Sequence, residues 1–207
     1  MPPKPKFARR EIVEAALDLV SRRGPEALTA RNLGEHLGSS ARPIFTVFQG
    51  MDELRQEVRA AAMARFASYA DRAPADVPEF KRAGVQMLLF AQEEPRLYQL
   101  LFVNGSREAA SFADVFGELG PMAEHCVAAI RRDYALSDGD ARLLFEHMWI
   151  YTFGLGTLCA GGAHFSQERL QEMLSTSFRA LLLLARAGRL REGGSCTESG
   201  VLNAVSY

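Results

Sequence analysis

Arg42 carries the clearest chemistry in this 207-residue chain. A guanidinium is a planar fork of donors, and it matches the two acceptors that guanine presents in the major groove of duplex DNA. Pro43 follows it directly. Proline is tolerated only in the first turn of a helix, where its missing N–H has no helical partner. With Ser40 as N-cap, Ala41, Arg42 and Pro43 therefore form the exposed first turn of a short helix predicted over 41–48. Thr29, Ser39 and Ser40 add hydroxyls for phosphate oxygens, helped by helix N-termini and their dipoles. Lys4, Lys6, Arg9 and Arg10 read as a basic arm that tracks a nucleic-acid backbone or enters the minor groove.

Other chemistries are poorly provided for. His36, His125, His147 and His164 have no metal-ligand spacing with one another or with Cys126, Cys159 and Cys196. Three widely spaced cysteines suggest neither a disulfide framework nor a zinc knuckle, and read as thiols of a reducing cytoplasm. Asp138 and Asp140 lack the rest of a calcium ligand series and read as a helix cap. Glu93 and Glu94, before Pro95, read as a solvated helix end. No phosphate loop, dinucleotide fingerprint or nucleophile elbow is present. The reading is of a non-enzyme without metal or cofactor.

The elements that must position Arg42 are helices. Apolar residues recur at helical spacing, Gly and Pro supply the punctuation, and no strand-like alternation occurs. The pattern predicts helices over 8–23, 30–37, 41–48, 51–72, 79–93, 95–102, 112–134, 138–161 and 167–187, with a loop at 104–111. Thr29, Ser137 and Ser166 stand as N-caps, and Leu28 with Leu33 as a staple around Thr29. The fold class is all-α. A three-helix helix-turn-helix head over 1–50 is fused to a helical body over 51–188, and 189–207 reads as a disordered tail.

Charge agrees with this division. The net charge of -1 hides +3 over residues 1–50 and -4 over the rest. A basic head on an acidic body suits a polyanionic partner at one end. The 48% apolar content fits a globular chain. No secretory signal and no apolar run near the roughly 18 residues of a membrane span occur, so the expected location is the cytoplasm, with no membrane partner.

The stretch from Glu11 to Leu54 resembles the DNA-binding domain of the TetR family of tetracycline-repressor-like regulators. The resemblance lies in Ile12, Ala15-Ala16, Gly24, Leu28-Thr29-Ala30-Arg31, Leu33, Leu37-Gly38, Ser40, Ile44-Phe45, Phe48 and Glu53-Leu54. It implies backbone contacts from Thr29 and Arg31, and Ala41, Arg42, Pro43, Phe45 and Thr46 facing the groove. Two positions depart from the family's habit. Phe45 stands where a tyrosine is common and Met51 where a lysine is common, so two phosphate contacts are lost and affinity leans more on Arg42 and the arm.

The resemblance also implies a homodimer on double-stranded operator DNA, paired through the last two long helices. Most such proteins are repressors released by a small molecule. For the dimer face the expected residues are Trp149, Phe153, Leu155, Leu174, Phe178 and Leu181. For the effector site they are Phe66, Tyr69, Phe90, Tyr98, Phe102, His147 and Tyr151, with His147 and Tyr151 as the orienting polar groups. Such a lining suits a mostly apolar effector. The alternative is a helical small-molecule-binding protein or enzyme whose head has lost DNA binding. A pure scaffold module, with no pocket, is the third reading.

Overall fold

The computed structural model describes residues 6–72, 78–104, 119–188 and 190. Every regular element among them is helical. Helix α1 (Arg9–Arg23) starts where the Glu11 carboxylate accepts a 2.6 Å hydrogen bond from the Ala8 N–H. It buries Ile12, Ala16, Leu19 and Val20, the single stripe that a 3.6-residue period allows. Helix α2 (Ala30–His36) is capped by Thr29, whose hydroxyl accepts from the Asn32 N–H at 3.2 Å, with Leu28 and Leu33 buried beside it.

The turn after α2 depends on two glycines. A Cβ on Gly34 would lie 2.8 Å from the backbone of Ser40 and Ala41, so the turn closes onto α2 only because that atom is absent. Gly38 takes φ +63°, a conformation that costs other residues about 1–2 kcal/mol.

The segment predicted as an α-helix over 41–48 is tighter than that. Ile44 N–H bonds to Ala41, Thr46 to Pro43 and Val47 to Ile44, each reaching back three residues, and a 3₁₀ turn spans Ile44–Thr46. Pro43 removes one donor, and buried Ile44 and Phe48 pin the segment at both ends. So short a piece cannot propagate a regular helix. The expectation about Pro43 survives in a different form, since its nitrogen sits where no bond is needed.

Helix α3 (Met51–Ala67) buries Leu54, Val58, Ala62 and Phe66, and a separate 3₁₀ turn (Ala70–Arg72) completes what the pattern reads as one helix. Helix α4 (Glu79–Glu93) matches its predicted bounds. Helix α5 (Pro95–Tyr98) runs into a π turn (Gln99–Val103), where Arg59 donates to the Leu100 carbonyl at 2.9 Å. Helix α6 (Pro121–Tyr134) is the described part of the helix predicted over 112–134; the remainder, most of the 104–111 loop and the tail beyond 190 lie outside the described residues. Helices α7 (Asp138–Ala160) and α8 (Gln167–Arg186) are capped by Ser137 and Ser166 as expected.

In the body, α4 packs on α6 and α7, and α7 packs on α8; α1 packs on both α3 and α5 and so bridges head and body. The aromatic residues expected around an effector meet one another at this junction. Phe66 contacts Phe90 and Phe102 edge-on at 5.3 and 5.2 Å, Tyr69 meets Phe90 at 5.2 Å, and Tyr98 meets Phe102 at 5.1 Å. Such edge-on pairs add about 0.5–1.5 kcal/mol each beyond their burial. The buried Tyr98 hydroxyl donates to the Phe153 carbonyl at 3.1 Å.

The two carboxylates read as a solvated helix end are partnered instead. Glu94 is buried, forms an ion pair with Arg65 of α3 and accepts a hydrogen bond from Ser21 of α1. Glu93 takes both Arg72 nitrogens at 2.6 Å and the Tyr69 hydroxyl at 3.1 Å. The end of α4 thus grips α1 of the head together with α3 and the turn that follows it.

Candidate nucleic-acid interface and body cavity

Arg42, Phe45 and Thr46 are exposed together on the turn after α2, with Ser40 beside them. Arg42 has no ion pair among the described residues, and its guanidinium is free to meet a base edge. Phe45 is 47% exposed while Phe48 is buried, so the first is presented outward and the second belongs to the core. The Thr46 hydroxyl donates to the Pro43 carbonyl at 2.6 Å, which stiffens the turn. Lys6 donates to the Ser39 hydroxyl at 3.0 Å, placing one ammonium of the arm beside the turn. Lys4 lies outside the described residues. Thr29 and Arg31 are exposed at the start of α2, Arg31 in an i,i+4 pair with Glu35. Ala41 and Pro43 are half-buried between these groups.

Arg9 departs from its expected place in the arm. It binds Glu53 at 2.7 Å and Glu57 at 3.0 Å on α3, reaches the Val47 carbonyl, and lies 4.3 Å over the Phe48 ring. Glu53 also accepts from the Gln49 N–H at 2.7 Å, and that bond, then Arg9, holds its carboxyl below the usual carboxylate range. Arg9 is therefore a staple between α1, the turn and α3. Arg10 keeps the expected exposure, paired only with Glu14. Gly34 was not singled out from sequence; an unexplained glycine inside a short helical pattern was the available signal.

The body encloses a cavity of about 400 Å³ between α4, α6, α7 and α8. Phe66, Phe80, Met87, Met122, Phe145, Met148 and Trp149 form much of the wall, and Lys81, Gln86, Thr152, Gln171 and Ser175 supply polar groups. Of the residues expected to line it, Phe66 does. Tyr69, Phe90, Tyr98 and Phe102 fill the junction core instead, and His147 and Tyr151 are not on the wall. His147 is exposed, because the α7 face that looks inward carries Phe145, Met148 and Thr152. Cys126 also lines the cavity, but burial pushes its thiol up to about 11, so it stays a protonated thiol near neutrality. Among the described residues no His, Cys, Asp and Glu cluster could hold a metal ion, and no helix is long and apolar enough to cross a membrane.

Residues 12–58, from α1 into α3, match the family described as bacterial regulatory proteins, tetR family. That N-terminal segment is therefore similar to the DNA-binding part of this family. The fold of the chain is similar to the crystal structure of a TetR-like transcriptional regulator from Rhodococcus sp. RHA1, at 16% identity and a TM-score of 0.61, over 88% of this chain and all of that one. No curated protein matches the chain. The match covers the exposed Arg42 turn, the Thr29 cap and the Gly34 approach, so the head has the form of the DNA-binding domain of bacterial tetR regulators.

The body presents exposed apolar side chains other than the ones expected on an outer face. Leu155, Leu174 and Phe178 are buried inside the protomer, and Trp149, Leu174 and Phe178 line the cavity; Phe153 and Leu181 are half-buried. The large apolar side chains left exposed on α7 and α8 are Ile150, Leu158, Leu183 and Leu184. Gly154 lies between the first two on the same α7 face, with open space above it. The largest side chains of α7 and α8 face inward, and the exposed apolar stripe lies a fraction of a turn away.

Proposed function

We propose that this protein is a homodimeric repressor of the tetR family that leaves its operator when a small, mostly apolar molecule enters the body cavity. The observation that carries the reading is the span of α4. Its first half, from Phe80 to Met87, lines the cavity, and at its end Glu93 holds Tyr69 and Arg72, just beyond α3, while its C-cap Glu94 holds Arg65 of α3 and Ser21 of α1. A ligand that shifts α4 therefore acts directly on α1 and α3. A shift there changes the separation of two recognition turns across a two-fold axis, which must stay near one helical repeat of DNA, about 34–36 Å.

The paired stripe of Ile150, Leu158, Leu183 and Leu184 supports dimerisation through α7 and α8. The test is selection of bound duplexes from a randomised pool. Enrichment of an inverted repeat supports a dimeric reader. Absence of any enriched sequence refutes it, and leaves a cavity-bearing protein without a DNA target.

A further inference from the structure

We propose that the cavity's ligand is a monoanionic amphiphile, an apolar body ending in one carboxylate, with Lys81 as the group that pairs with the acid. This rests on the reading of the cavity as the effector site and names the class of effector. Among the described residues Lys81 is the one charged residue on the cavity wall. Its ammonium lies 4.8 Å from the centre of the Phe178 ring, itself part of that wall, so the charge is turned inward over an aromatic face. The ammonium has no carboxylate partner among the described residues. Glu79, two residues before it, is already engaged by His125 at 2.5 Å and Arg132 at 3.3 Å.

A half-buried cation with no counterion favours a ligand that brings one. The rest of the wall argues for what the acid is attached to. Met87, Met122 and Met148 are adaptable walls for alkyl or aryl groups, and the neutral polar groups leave no place for a second ligand charge. At about 400 Å³ the space lies within the range of roughly 300–1,000 Å³ typical of small-molecule sites.

Trp149 is the sole tryptophan of the chain and lines the cavity, so its emission reports occupancy. The probes are decanoate, decanol and the decylammonium ion, titrated into the full-length protein and into Lys81→Met and Lys81→Arg, with circular dichroism confirming the fold of each variant. Decanoate is expected to bind at least about tenfold tighter than decanol, and decylammonium weakest, since a charge-assisted hydrogen bond separates them. Lys81→Met should weaken decanoate roughly ten- to a hundredfold while leaving decanol nearly unchanged, and Lys81→Arg should retain the preference. Equal affinity of the wild type for acid and alcohol overturns the proposal, as does equal weakening of both probes by Lys81→Met. Silence of Trp149 to every probe overturns it too. If the acid preference depends on Lys81 but saturating decanoate leaves a selected duplex bound, the ligand class stands and the repressor reading fails.

Discussion

Ser21 of α1 donates a 2.9 Å hydrogen bond to the buried carboxylate of Glu94, the residue that ends α4. Arg65 of α3 completes the arrangement with an ion pair to the same carboxylate. One acid thus ties α1 and α3 to the helix that lines the cavity. Replacing Glu94 by alanine leaves Ser21 and Arg65 without their acceptor. The cost expected is about 1–3 kcal/mol, towards the lower end because Arg65 remains half exposed to water. Urea unfolding measures it, and a variant as stable as the wild type would show that the link carries no load. The same variant should bind a selected duplex but respond less to a cavity ligand.

Glu93 gives the neighbouring contact a pH dependence. Arg72, and then the Tyr69 hydroxyl, hold its carboxyl below the usual glutamate range. A carboxylate with a depressed folded value contributes stability above its unfolded value, about 4.3, and loses it as pH falls through the folded one. The stability difference between wild type and Glu93→Gln should therefore be constant near neutrality and shrink as pH falls below about 5. Thermal unfolding across that range checks the sign. A difference that grows on acidification would contradict the assignment.

The dimer face is tested by charge. Leu183 is 68% exposed and Ile150 is 55% exposed, so a carboxylate at either disturbs nothing inside the protomer. The wild type is expected to sediment as a dimer, and the double variant Ile150→Glu, Leu183→Glu as a folded monomer. Persistence of the dimer would move the interface elsewhere.

What sequence made legible follows from the range of each interaction. The caps at Thr29, Ser137 and Ser166 were readable because a hydroxyl and an N–H three residues apart need nothing else. The stop at Gly24 and the start at Pro95 were readable for similar reasons. Arg42 was placed on an exposed turn because Pro43 restricts the local backbone. The 3₁₀ geometry of that turn was not readable, since it depends on Gly34 meeting Ser40 and Ala41 across the fold. Glu94 looked solvated because its partner Ser21 lies 73 residues away. His147 and Tyr151 were assigned to the wrong face of α7, and Leu155, Leu174 and Phe178, expected on a dimer face, are buried inside the protomer, because both faces of these helices are apolar. Periodicity cannot say which face meets the protomer's own helices.

The central claim, that this head reads DNA through the turn led by Arg42, is tested most directly by comparing sequences selected by wild type and Arg42→Ala from one randomised duplex pool. Arg42 is exposed and unpaired among the described residues, so the substitution should leave the fold intact. The wild type should select an inverted repeat. The variant should select the same repeat with one position per half-site relaxed, at a cost of about 1–3 kcal/mol in affinity. Identical preferences at every position, with unchanged affinity, would contradict it.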